Sequence, residues 1–141
     1  MILHKDGLIV MDYDVATDIL VVKWLASETS TSLELGYSMK LLVDKVRSYD
    51  VKKLLIDARE DVVGITDEEY VEINVKFAKD LASTRLERVA RLGTTNINRE
   101  NFVKTLVYDV QAHAQTTLIY KEFQDQTNAI EWLQDTSSPN S

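Results

Sequence analysis

The chain has no cysteine among its 141 residues. Disulfides, thiolate nucleophiles and thiolate metal centres are therefore excluded, and a reducing compartment fits. Its four glycines, Gly7, Gly36, Gly64 and Gly93, are isolated from one another. A phosphate-cradling loop needs clustered glycines so that backbone N–H groups can approach the anion, so P-loop and dinucleotide fingerprints are excluded. The two histidines, His4 and His113, belong to no metal-ligand spacing, and no Gly-x-Ser-x-Gly elbow presents a serine nucleophile. No metal and no cofactor are expected. No apolar run approaches the roughly 20 residues that a bilayer span needs. Met1 to Gly7 lacks the apolar stretch of a signal peptide, and His4 is expected in a mobile N-terminus. Basic residues are in deficit, 16 against 23 acidic ones, for a net charge of −7. A negative field disfavours nucleic acid and anionic lipid surfaces. The expectation is a soluble, cytoplasmic protein.

What is present is enough apolar material for a core: 45% hydrophobic residues beside 28% charged ones. No linker or repeat divides the chain, so residues 1–134 read as one domain and the polar residues 135–141 as a disordered tail. Residues 8–13 and 18–24 are β-branched and aromatic runs around a short polar link, the pattern of a hairpin. Thr31 and Glu34 form a capping-box spacing, and Leu35, Met39, Leu42, Val43 and Val46 then recur on one helical face. Lys53 to Asp57 is a nearly continuous apolar run, as in a strand covered on both sides. Thr66 with Glu69 is a second capping box, before a helix with an inner stripe of Tyr70, Ile73, Phe77 and Leu81.

Residues 87–92 form the next strand, and Arg88 and Arg91 predict that one face of it is exposed or partly exposed. Asn98 is positioned to cap a helix carrying Phe102, Leu106 and Val110, with His113 at its margin. Residues 116–120 read as a fifth strand, and Asp125 caps a last helix holding Ala129, Ile130, Trp132 and Leu133. The order is β-β-α-β-α-β-α-β-α. It predicts an α/β fold: a five-stranded mixed, mostly parallel sheet with four helices around one core. That core comprises Leu35, Leu42, Val46, Ile56, Ile73, Phe77, Leu106, Ile119 and Leu133.

Three stretches carry a family likeness: the hairpin around Asp12-Tyr13-Asp14, the unit running from Leu54 through Asp57-Ala58-Arg59 to Thr66 and Glu69, and the close Ala129-Ile130-Glu131-Trp132-Leu133. On these the chain resembles the SpoIIAA-like superfamily, which includes STAS domains and the related fold of CRAL-TRIO lipid-binding domains, and specifically its bacterial members of unassigned activity. The resemblance implies the SpoIIAA-like fold. It departs at the switch: STAS regulators carry a phosphorylatable serine in an Asp-Ser-Ser/Thr-Gly pattern, and here Asp57 leads into Ala58-Arg59-Glu60-Asp61 instead. Thr66 is the hydroxyl nearest the corresponding helix start. A phosphate there would meet free N–H groups but also Asp67, Glu68 and Glu69, so an N-cap is the better reading and phosphorylation the lesser one.

In a parallel sheet, ligands and partners gather at the carboxyl ends of the strands. That edge places Arg59, Thr66, Thr94, Thr95 and Asn96 in the candidate binding surface, and no residue is singled out as catalytic. Arg59 has two readings, a salt bridge to Asp57 or Glu60 that fixes its own loop, or a cation held for an anionic ligand. The carboxylates of residues 60–69 read as a solvated helix start. Taken with the resemblance, these features predict a non-enzymatic protein-interaction or regulatory module, binding a protein partner or a second copy of itself. The alternative is a carrier for a small anionic or apolar ligand, lipid included, which needs a pocket of about 300–1,000 Å³.

Overall fold

The computed structural model describes residues 1–25, 31–59, 66–93 and 118–135. Their order is β1 (Ile2–Lys5), β2 (Ile9–Asp14), β3 (Ile19–Trp24), α1 (Ser32–Ser48), β4 (Lys53–Asp57), α2 (Asp67–Ala82), β5 (Arg88–Leu92), β6 (Ile119–Phe123) and α3 (Gln126–Gln134). The six strands form one mixed sheet in sequential order from β1 to β6. The first three pair antiparallel, and β3 through β6 are parallel. The α/β class holds, with six strands rather than five. The expected helix of Phe102, Leu106 and Val110, with His113 at its margin, lies outside the described residues, as do Thr94, Thr95, Asn96 and the tail from Thr136.

The added strand corrects the mobile N-terminus. Asp6 turns the chain between β1 and β2: its Oδ1 accepts the Leu8 and Ile9 N–H groups at 2.7 and 2.9 Å, and its Oδ2 lies 2.6 Å from His4 Nε2. An aspartate that caps its own turn in this way gives a four-residue strand enough local support to pair. At the next turn Asp14 accepts the Ala16 N–H at 3.0 Å. Asp18 there takes a left-handed φ of 56°, a conformation that aspartate tolerates better than most residues.

Both long helices start as their spacing predicts. Thr31 accepts the Glu34 N–H, and Thr66 with Glu69 completes a reciprocal capping box. Past the end of α1, Asp50 adopts φ 52° while Val51 N–H bonds to Val46 and Asp50 N–H to Arg47. This is a Schellman closure with aspartate where glycine is usual.

Alternation along the strands builds two cores, not one. On the first face Met11, Leu20, Val22, Leu54, Ile56 and Val89 meet Leu35, Leu42 and Val46 of α1 and Phe77 and Leu81 of α2. On the second, Ile19, Leu55, Ala90 and Leu92 meet Ala129 and Leu133 of α3. Burying β4 and β5 on both sides explains their continuous apolar character.

The expected exposed face of β5 is absent: all five of its residues are buried, the two arginines included. Arg88 donates to the Trp132 carbonyl at 2.5 Å and stacks over that indole, and Arg91 lies 3.7 Å from Glu122. The last strand begins at Ile119 and runs to Phe123, so the expected span of 116–120 is shifted, and Ile119, like Ile73 of α2, is half-buried rather than fully core. Lys121 and Glu122 fit a strand because each charge has a place: Lys121 over the Phe123 and Trp132 rings, Glu122 beside Arg91. Among the described residues, no helix is long and apolar enough to cross a membrane.

Candidate functional site

The parallel strands bring their carboxyl ends, at Trp24, Asp57, Leu92 and Phe123, to one edge. Asp57 is buried there, in register with Lys23 on β3. Two residues further, Arg59 folds back on it: Nε donates to Oδ1 at 3.0 Å, Nη2 to Oδ2 at 2.9 Å, and the Arg59 backbone N–H to Oδ1 at 3.2 Å. Burial alone would push the Asp57 carboxyl up. The Arg59 guanidinium and N–H, with the nearby Lys23 charge, more than offset that and hold it below the usual carboxylate range. The loop-fixing reading of Arg59 describes this geometry.

Thr66 is also occupied. Its Oγ1 accepts the Glu69 N–H at 3.1 Å and donates to Glu69 Oε1 at 2.9 Å, while Glu69 Oε1 also receives the Thr66 N–H at 3.3 Å. The structure thus seats Arg59 and Thr66 each on a neighbour in its own loop. Beside β6, Glu122, Gln124, Asp125 and Asn128 line a shallow polar recess of about 400 Å³. Asp125 is committed to α3, accepting the Asn128 N–H at 2.9 Å and its side-chain amide at 2.7 Å. Among the described residues, no group of three or more histidines, aspartates or glutamates gathers as a metal cage would require.

Two surfaces escaped the sequence reading. The first is the outer side of α1, where Leu33 and Tyr37 stand 84% and 64% exposed, one helical turn apart. They were hidden behind the inner stripe, although their spacing of four was legible. The second lies at the far edge of the sheet. The nine-residue α3 packs over β4, β5 and β6. Beside it a groove of about 480 Å³ runs between Ile130 and the β2–β3 hairpin. Its floor is Ile19 and Val21, its rim Asp12 and Asp14, and its mouth Val15. On the opposite face of that hairpin Tyr13 donates to Asp18 at 2.6 Å, which with burial raises the phenol to about 12. The alternation of Val10, Asp12 and Asp14 was the available signal, but nothing local revealed that α3 would stop short of it.

No protein-family model, curated protein or solved structure matches the chain.

Proposed function

We propose that this chain is a non-enzymatic protein-interaction module of the SpoIIAA-like, STAS-like kind. The observation that carries the reading is the outer stripe of α1. Leu33 and Tyr37 expose large apolar surface at the end of the helix that leads from the carboxyl edge of the strands. Aromatic and aliphatic anchors of this kind contribute most when a partner desolvates them. The best-placed charged pair on that edge, Asp57 with Arg59, is spent on fixing its loop, which favours a docking surface over a reaction centre. The sequential strand order after an antiparallel hairpin supports the family resemblance at the level of topology.

The test is a paired comparison of the wild type with Leu33→Glu/Tyr37→Glu. Sedimentation velocity of the pure protein would detect self-association, and quantitative cross-linking in extract a foreign partner. The reading expects a complex that the double variant loses while its unfolding curve stays superimposable on the wild type. Identical assembly in both proteins would overturn it.

A second reading, a small-ligand binder, is favoured by the groove beside α3, whose volume of about 480 Å³ falls within the range of ligand pockets.

A further inference from the structure

The geometry points to the groove between α3 and the β2–β3 hairpin as a site for a small organic cation, an ammonium head on an apolar body. The inference rests on the small-ligand reading and names the ligand's chemistry. The floor is apolar: Ile19 is buried, while Val21 and Ile130 are half-buried and so still present surface. Val15, 69% exposed, overhangs it from the turn. That surface can take up a hydrocarbon body and gains by being removed from water.

The rim carries two carboxylates and one ammonium, for a net negative charge. Asp12 and Asp14 line the groove, and none of its lining side chains is lysine, arginine or histidine. Strand alternation puts both carboxylates on the groove side of β2, two residues apart. Asp12 is already paired: the Met1 ammonium lies 3.0 Å from its Oδ1 and 3.1 Å from the Tyr13 carbonyl oxygen. Asp14 accepts one hydrogen bond, from Ala16 N–H, and among the described residues no cation is paired with it. A ligand ammonium beside Asp14 would therefore complete a charge pair while its chain lies along Val21 and Ile130. An anionic ligand of the same shape would meet the Asp14 carboxylate, with the Met1 ammonium already taken up by Asp12.

The probe is hexylammonium, with 1-hexanol and hexanoate as neutral and anionic controls of nearly equal length. Binding is read from methyl shifts of Val15, Val21 and Ile130 at low ionic strength. One unpaired exposed carboxylate corresponds to a preference for hexylammonium over hexanol of about threefold. That preference should shrink in high salt and fall to near parity in Asp14→Asn. The asparagine at position 14 retains the oxygen that accepts the Ala16 N–H, so the turn is kept and the variant should fold. Equal binding of hexanol and hexylammonium would overturn the cation while leaving the groove a ligand site. Tighter binding of hexanoate would also overturn it, and an absence of methyl shifts with all three probes would overturn both the cation and the small-ligand reading.

Discussion

At Asp57 two opposing effects meet on one carboxylate. Burial penalises its charge, and the Arg59 fork and N–H stabilise it by more, so its pKa lies below the ordinary value. A depressed carboxylate contributes stability above its unfolded pKa of about 3.9, and that contribution is lost as the pH falls through the lower folded value. In Arg59→Ala the largest compensating group is gone and burial prevails. The variant should be less stable than wild type by about 1–3 kcal/mol at pH 7, because a buried charge has lost its main partner. The deficit should shrink below about pH 4, where the carboxyl takes up a proton. Urea titrations at the two pH values check this, and a deficit independent of pH would show that Asp57 is not the group involved. This pair was legible because it is local, two residues apart in one loop. The buried arginines of β5 were not. Arg88 reaches a carbonyl 44 residues away and Arg91 a glutamate on another strand, and only the assembled sheet brings either partner near.

At the scale of elements, the capped helices were the most legible parts. A side chain at the N-cap and one at N3 decide a helix start without help from the rest of the chain. Thr66 shows both halves of that arrangement around α2. Thr66→Ala should cost about 1 kcal/mol in a denaturant titration, whereas Thr66→Ser, which keeps both the accepting oxygen and the hydroxyl that donates to Glu69, should stay within a few tenths of wild type. Equal losses in both would mean that Thr66 acts through its methyl group, and not as a cap. The strands were harder to place. β1 is four residues long and depends on the Asp6 turn. β6 carries a lysine and a glutamate that only tertiary contacts accommodate, so local β-propensity put it three residues too early.

For the whole molecule, the sheet is the shared wall of two cores, and this sets how the domain should unfold. Leu42 of α1 and Leu133 of α3 are both fully buried, on opposite faces. Each truncation to alanine should cost about 2–5 kcal/mol, from lost transfer energy plus the cavity left behind. The tryptophans report on the two sides separately: Trp24 belongs to the first core, and Trp132 packs against the second. β4 contributes Leu54 and Ile56 to one core and Leu55 to the other, so neither face can come apart without disturbing the strand that both need. Unfolding should therefore be one cooperative step. With Trp132→Phe as the background, Trp24 fluorescence should show Leu133→Ala lowering the midpoint of the first core, although the substitution lies across the sheet. The reciprocal experiment, Leu42→Ala read by Trp132 in a Trp24→Phe background, should give the same midpoint as circular dichroism. Coincident curves at unchanged slope would establish a single unit. If Trp24 kept its wild-type midpoint while the dichroism shifted, α3 would be a separately melting layer, and the groove at its side would open before the domain unfolds.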